Sequence, residues 1–198
     1  MKNKIINALK LENIELSQEK IKLLEQFANR LMWYNKTHNI TGAKDDSAVI
    51  SNIIDSLAPI KFISKPSSLL DVGTGAGFPG LILAIIYSDI KVILAEPINK
   101  RASFLRLCAY ELGLDRVEIF KNRVEKLKSQ PLELITSRAV TNTKLLLDLT
   151  KDVSNSDTKY LFYKGERVFS EVDELNNQYI YDIVQKSKRN YLYIKGLK

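Results

Sequence analysis

The chain has 198 residues, of which 45% are hydrophobic, and it carries 30 Lys and Arg against 23 Asp and Glu, a net charge of +7. A chain of this size buries roughly 70% of its unfolded surface, so we expect a globular domain with a small appendage at most, and not a disordered chain. The single cysteine, Cys108, excludes a disulfide framework or cysteine zinc cluster within the chain and favours a reducing, cytoplasmic location.

The first third of the chain has helical periodicity and is mostly polar. Hydrophobic residues recur close to a 3.6-residue spacing over 16–34, where Ser17 is the predicted N-cap and Trp33 and Tyr34 end the helix. A second helix is predicted over 48–63, and Pro66 ends the segment. We expect neither a signal peptide nor a membrane span, because no apolar run is long enough. The prediction is an N-terminal helical extension over 1–66.

From residue 67 onward, short β-rich runs alternate with helical ones, which favours a mostly parallel sheet with helices on both faces. The predicted strands are 68–72, 91–95, 117–120, 132–136 and 159–163. The predicted helices are 80–87, 99–112, 123–127 and 143–153. Two further strand-like runs, 179–186 and 191–195, have hairpin spacing and predict an antiparallel end to the sheet. We therefore predict an α/β core over 67–198.

A glycine-rich loop, LLDVGTGAGFPG, connects the first predicted strand to the first helix of this core. Open α/β sheets bind their ligands at this place, and glycines let a ligand lie against bare main chain. A phosphate-binding P-loop would need Lys followed by Ser or Thr after its last glycine, and the chain has neither there. Two cofactor classes therefore stay open.

The loop fits S-adenosylmethionine better than a nicotinamide dinucleotide. Asp71, Gly73, Gly75 and Gly77 match an acid followed by G-x-G-x-G, which is typical of S-adenosylmethionine sites. A shifted dinucleotide fingerprint also exists, but Phe78 and a proline crowd it. At the end of the second predicted strand, Glu96 can accept hydrogen bonds from a ribose, which both cofactors contain.

Several motifs together resemble one family, the bacterial small-subunit ribosomal RNA guanine-N7 methyltransferases, once called glucose-inhibited division protein B. The carrying motifs are D-V-G-T-G-A-G-F-P-G, the strand-end acid, N-K-R-A-S-F-L-R, N-R-V-E and S-R-A-V. The resemblance runs from Trp33 to Gly165 and implies a Rossmann-like class I methyltransferase fold that uses S-adenosylmethionine. The implied substrate is guanine-527 in the 530 loop of 16S ribosomal RNA, in the small subunit or its precursor.

The resemblance also implies roles for individual residues. Gly73 and Phe78 are expected to line the cofactor pocket, and Val124 and Glu125 to lie against the adenine. Arg138 is expected to reach the cofactor or the guanine, and Lys164 to face the RNA. One position departs from the family, since Asn52 stands where members commonly have histidine in H-x-x-D-S.

N7 of guanine carries a free lone pair, so methyl transfer to it needs no general base, and we assign no acid or base catalyst. A nearby carboxylate could offset the positive charge that develops on guanine, for which Asp71 and Asp55 are candidates. We read His38 as an exposed helix-end residue and Cys108 as core. No metal is expected.

The basic balance favours an acidic partner such as RNA, although a genome rich in Lys, Ile and Asn explains the charge equally well. Arg123 and Arg138 are the favoured RNA contacts because each follows a strand at the ligand edge. Other candidates are Lys36, Lys44, Lys100, Arg101, Arg106, Lys121, Lys164 and Arg167, with Trp33, Tyr34 and Phe78 as stacking residues.

Two other functions stay open at this point. The first is a methyltransferase of the same fold that acts on another RNA, a protein or a small molecule. The second is a non-catalytic, RNA-binding Rossmann-like domain with a degenerate cofactor pocket, against which the intact glycines and Glu96 argue. For each function we expect the chain to be a monomer.

Overall fold

The structure is a computed structural model that describes residues 1–176, 178–186 and 189–197. Its helices are α1 (Lys2–Leu11), α2 (Gln18–His38), α3 (Asp46–Leu57), α4 (Gly80–Ile86), α5 (Asn99–Glu111), α6 (Thr143–Thr150) and α7 (Val168–Asp173). Its strands are β1 (Ser68–Val72), β2 (Lys91–Ala95), β3 (Val117–Phe120), β4 (Leu134–Arg138), β5 (Lys159–Lys164), β6 (Tyr179–Lys186) and β7 (Arg189–Leu197).

All seven strands form one sheet in the order β3-β2-β1-β4-β5-β7-β6. Strands β1 to β5 are parallel, and Leu69 of β1 pairs with Val92 on one side and Leu134 on the other. Strand β7 runs antiparallel between β5 and β6, which confirms the predicted hairpin end. From β1 the strand order runs outward on both sides, through β2 and β3 on one side and through β4 and β5 on the other. Such sheets bind ligands at this switch point, between β1 and β4.

Helices cover both faces of the sheet, as the strand–helix alternation predicted. Successive residues of a strand point to opposite faces, so Leu69 joins one hydrophobic cluster and Leu70 the other. The first cluster includes residues of α1 to α5, and the second includes residues of α6 and α7. The N-terminal helices therefore share a core with the sheet. The boundary at residue 66 stays a prediction.

Capping residues and a proline set where the N-terminal helices begin and end. Ser17 accepts a hydrogen bond from the Lys20 amide, as predicted, but α2 continues to His38 and does not end at Tyr34. It ends where Asn39 adopts a left-handed conformation with φ of 46°. The predicted helix over 48–63 is instead α3 followed by a 3-10 turn over 58–61, because a proline enters at the end of α3.

Strand β4 begins two residues later than predicted, at Leu134 in place of residue 132. The amide of Leu132 donates to the carbonyl of Val153, outside the sheet. Arg138 is therefore the last residue of β4 and does not follow it. The segment predicted as a helix over 123–127 is a 3-10 turn over 124–126. The segment predicted as a helix over 143–153 is α6 followed by a 3-10 turn. Helix α7 was not predicted.

Within the described residues, no helix combines the length and apolar character needed to cross a membrane. The two residues 187 and 188, in the predicted hairpin connection, lie outside the described residues. The carboxyl ends of β1 to β5 form one edge of the sheet, where the predicted site residues come together.

Candidate active site

The glycine loop follows β1 directly and has a backbone that side chains would disfavour. Gly73, Gly75 and Gly77 all have positive φ, at 69°, 62° and 103°. The amide of Gly73 donates to the Ala95 carbonyl at 2.8 Å, which ties the start of the loop to the end of β2. The loop is thus held across the ends of two neighbouring strands.

Asp71 lies beneath this loop, with its side chain fully buried. Its carboxylate accepts a hydrogen bond from the Gly80 amide at 2.9 Å and from the Thr136 hydroxyl at 2.8 Å. Burial raises the pKa of Asp71 to about 6, although these hydrogen bonds oppose the increase. The structure places this predicted cofactor ligand against protein groups, where it connects β1, β4 and the start of α4.

Glu96 follows β2 and is only 2% exposed. One carboxylate oxygen accepts the Gly75 amide at 2.9 Å and the other accepts the Ile98 amide at 2.8 Å. Each oxygen still has a lone pair, because a carboxylate offers about four acceptor positions. The arrangement places Glu96 beside the loop, as the sequence predicted.

Arg138 lies at the end of β4, where α3 supplies its acceptors. Its guanidinium donates to the Asn52 amide oxygen at 2.9 Å and to the Asp55 carboxylate at 3.1 Å. It also lies over the Phe78 ring, with 5.1 Å between the guanidinium carbon and the ring centroid. Asn52, at the position of the family histidine, therefore contacts the guanidinium directly.

The Asp55 carboxylate, which binds Arg138, also accepts hydrogen bonds from strand β7. It accepts hydrogen bonds from Arg189 at 2.9 Å and from the Tyr191 hydroxyl at 3.0 Å, both on β7. Burial, followed by the nearby charge of Asp55, raises the pKa of Tyr191, so its hydroxyl stays protonated and donates. Asp55 joins helix α3 to β4 and β7.

Phe78 packs under the loop and is 4% exposed. Its ring meets Phe27 of α2 edge to face at 5.4 Å, and Arg138 lies over it. This side chain joins the N-terminal helices to the loop. With its ring covered in this way, Phe78 is not presented as a stacking surface for a flipped base.

The segment after β3 supplies the remaining predicted cofactor residues. Val124 is 5% exposed and belongs to the core cluster on the α6 side of the sheet. Arg123 and Glu125 flank it with exposed side chains. All three lie past the carboxyl end of β3, at the same edge as the glycine loop and Glu96.

Lys164 ends β5, and its side chain is only 8% exposed. Its ammonium donates to the Thr141 carbonyl at 2.9 Å and to the Glu171 carboxylate at 2.7 Å. The same carboxylate accepts the Thr143 amide at 2.7 Å. Lys164 was expected to face RNA, but its ammonium forms a buried ion pair with Glu171 that connects β5 to α6 and α7.

A cavity of about 680 Å³ opens beside this ion pair, at the same edge as Arg138. It lies between the segments that follow β4 and β5. Its lining residues are Ala139, Thr141, Tyr163, Lys164, Gly165, Glu166, Arg167, Glu171 and Arg189. The cavity contains both positive and negative groups.

The other predicted RNA contacts divide into internally paired and exposed groups. Lys100 donates to the carbonyls of His38 and Asn39, and Arg101 donates to the Ile40 carbonyl, so both hold the end of α2. Trp33 is 62% exposed, with Arg30 above its ring at 5.3 Å. Exposed basic side chains at Lys36, Lys44, Arg106, Lys121 and Arg167 complete the set.

Sequence reasoning missed Glu171 and the part that Asn52 plays. Glu171 lies on α7, a six-residue helix with no periodic signal. Asn52 and Asp55 are three residues apart on α3, a spacing that places both on one helix face and could have indicated a shared partner. Within the described residues, no three His, Cys, Asp or Glu side chains are grouped to hold a metal.

Comparison with known proteins identifies the family. The family model described as rRNA small subunit methyltransferase G matches residues 20–195. The protein named ribosomal RNA small subunit methyltransferase G from Aliarcobacter butzleri is 46% identical over 191 residues, covering 96% of this chain and 97% of that protein. Its counterpart from Wolinella succinogenes is 43% identical over 189 residues, covering 96% of both chains.

Solved structures show the same fold at low identity. A structure described as a putative S-adenosyl-L-methionine-dependent methyltransferase from Methanococcus maripaludis superposes with a TM-score of 0.62 at 16% identity, covering 86% of this chain and 92% of that one. This likeness confirms the predicted Rossmann-like methyltransferase fold. The sequence matches confirm the predicted family, and the chain belongs to the rRNA small subunit methyltransferase G family.

Proposed function

We propose that this chain transfers a methyl group from S-adenosylmethionine to N7 of a guanine in the 530 loop of 16S ribosomal RNA, in the small subunit or its precursor. Membership of a family named for ribosomal RNA methylation supports the reaction class. The choice of N7 and of this loop rests on the resemblance described above.

The observation that carries the proposal is the joint geometry of the glycine loop and Glu96. A Cβ at residue 75 would meet only the Gly73 carbonyl oxygen, at 4.0 Å, so the space beside the loop is open. Glu96 lies next to it, with carboxylate lone pairs left over from its two backbone hydrogen bonds. Bare main chain beside a fixed carboxylate suits the amino-acid and ribose portions of S-adenosylmethionine.

Other residues at this edge complete the proposed cofactor site. We assign Gly73 and Gly77 to the wall of the pocket and Val124 with Glu125 to the adenine side. Asp71 acts through the loop: its hydrogen bond to the Gly80 amide fixes the start of α4, and it is a positioning residue. When bound, S-adenosylmethionine supplies a methyl group that its sulfonium has already activated.

The chain itself has to position the guanine. N7 is unprotonated at neutral pH, so no side chain has to remove a proton before attack. Placing the reacting atoms in line can account for a large part of the rate enhancement. We assign this task to Arg138, because Asn52, Asp55 and Phe78 hold its guanidinium at the end of β4, on the same sheet edge as the glycine loop.

A methyl-transfer assay tests the proposal. The protein is incubated with labelled S-adenosylmethionine and small subunits, or 16S RNA, from cells that lack this activity, and the RNA is cleaved chemically at 7-methylguanine. We expect a single cleavage site in the 530 loop. A label at another guanine would refute the position. Cofactor binding with no label in any RNA form would refute the substrate.

A further inference from the structure

The cavity between the ends of β4 and β5 contains a carboxylate that the cofactor site does not use. Glu171 on α7 lines this cavity together with the ion-paired Lys164 and the arginines at 167 and 189. The side chain of Glu171 is 15% exposed. It is thus largely enclosed, yet it forms part of the cavity wall.

The two oxygens of Glu171 are used differently. Oε2 accepts three hydrogen bonds, from the Thr143 amide at 2.7 Å, the Thr143 hydroxyl at 2.6 Å and the Lys164 ammonium at 2.7 Å. Oε1 receives no hydrogen bond from the residues that the structure describes. One oxygen therefore fixes the side chain, and the other is left as an acceptor.

This carboxylate stays ionised at neutral pH. Burial alone would raise the pKa of Glu171, but the hydrogen bonds from Lys164 and Thr143 outweigh burial and lower it. An ionised oxygen accepts stronger hydrogen bonds than a neutral one. The carboxylate is also held from two other elements, since Thr143 of α6 and Lys164 of β5 both donate to it.

Guanine presents the matching donors. Its N1–H and N2 amino group lie side by side on the edge of the base opposite N7, and both donate hydrogen bonds. Adenine has an acceptor at N1, so it would face the carboxylate with a lone pair. A base held by its N1 and N2 edge at Glu171 leaves N7 on its far edge, away from that carboxylate.

We propose that Glu171 is a specificity-determining residue, which selects guanine by accepting hydrogen bonds from the N1–H and N2 amino group at Oε1. The inference rests on the proposed function, because it concerns the base that receives the methyl group. It assigns the cavity to the target base and gives Lys164 the task of holding Glu171 in place.

The first test changes the RNA and leaves the protein intact. Small subunits are reconstituted with either guanine or inosine at the target position, since inosine keeps N7 and lacks only the N2 amino group. We expect kcat/KM to fall by about tenfold to a hundredfold with inosine, as is typical when one hydrogen bond to a charged group is lost. Equal rates for the two bases would overturn the inference.

The second test compares Glu171→Gln with Glu166→Gln. Both residues line the cavity and both substitutions remove one negative charge, but Glu166 is exposed. In Glu171→Gln, the amide oxygen satisfies the donors of Thr143 and Lys164, and the amide nitrogen then faces the base as a donor. We expect Glu171→Gln to lose most of the preference for guanine over inosine and Glu166→Gln to retain it.

The outcomes separate the two proposals. If the wild-type protein methylates no guanine in the RNA, the proposed function fails. If it methylates guanine at N7 but Glu171→Gln keeps the full preference over inosine, only the role of Glu171 fails. Thermal unfolding and the Kd for S-adenosylmethionine are measured for each variant. Should Glu171→Gln not fold, the inosine comparison on the wild-type protein decides the question.

Discussion

We expect the substitution Asp71→Asn to remove a loss of unfolding free energy that the wild-type protein shows as the pH rises. Burial raises the pKa of Asp71 from 3.8 to about 6 in the folded chain. Because the folded state holds the proton more tightly than the unfolded state, the stability that Asp71 contributes is present below pH 3.8. It is lost as the pH rises through 6.

The size of the effect follows from these two pKa values. At about 1.4 kcal/mol for each pKa unit, the full titration of Asp71 costs about 3 kcal/mol of unfolding free energy, of which about 2 kcal/mol falls between pH 4.5 and 7.5. Asparagine is nearly isosteric. Its oxygen can accept the Gly80 amide and its nitrogen can donate to Thr136, but it does not titrate.

Urea unfolding of both proteins at several pH values between 4.5 and 7.5 checks this. We expect the stability of Asp71→Asn relative to wild type to rise by about 2 kcal/mol across the range. Asp89→Asn is the control, since a hydrogen bond from Lys65 lowers the pKa of Asp89 and any pH effect there has the opposite sign. Parallel pH profiles for Asp71→Asn and wild type would refute the reasoning.

Two further substitutions test the loop. Gly80→Ala would place a Cβ 2.5 Å from Leu94 Cδ2, so we expect urea unfolding to show a loss of about 1–3 kcal/mol in the free energy of unfolding. Gly165→Ala is the control: its Cβ would meet nothing within 4 Å, so the free energy of unfolding should change by less than about 0.5 kcal/mol. In Glu96→Gln the single side-chain oxygen can accept a hydrogen bond from only one of the two backbone amides that Glu96 now binds. Titration calorimetry should therefore show S-adenosylmethionine binding weakened about tenfold or more. Glu118→Gln, at an exposed position on β3, should leave the binding unchanged.

Local patterns were enough to predict the loop and the sheet around it. The glycines at 73, 75 and 77 occupy backbone conformations that glycine favours, so their spacing carries structural information by itself. Strand and helix alternation fixed the parallel order, and an acid at the end of the second strand was expected beside the loop, where Glu96 lies.

Contacts between distant parts of the chain were not predictable in the same way. Arg138 finds its acceptors 83 and 86 residues earlier, on α3, and Asp71 finds Thr136 65 residues later. Whether a charged side chain at a strand end faces a ligand or the protein depends on such partners. Lys164 shows this, because its partner Glu171 lies on a helix that the sequence did not indicate.

The carboxylates of the site can be ranked by what already occupies their oxygens. Attack by N7 leaves positive charge on guanine, which an unengaged negative oxygen would stabilise. Asp71 is fully buried beneath the loop, and Asp55 accepts hydrogen bonds from Arg138, Arg189 and Tyr191. Glu171 lines the cavity and its Oε1 accepts no hydrogen bond from the described residues, so in the proposed role the oxygen that selects guanine also stabilises its developing charge. Glu171→Gln should consequently lower kcat as well as raise KM, whereas a residue that only bound the base would raise KM alone.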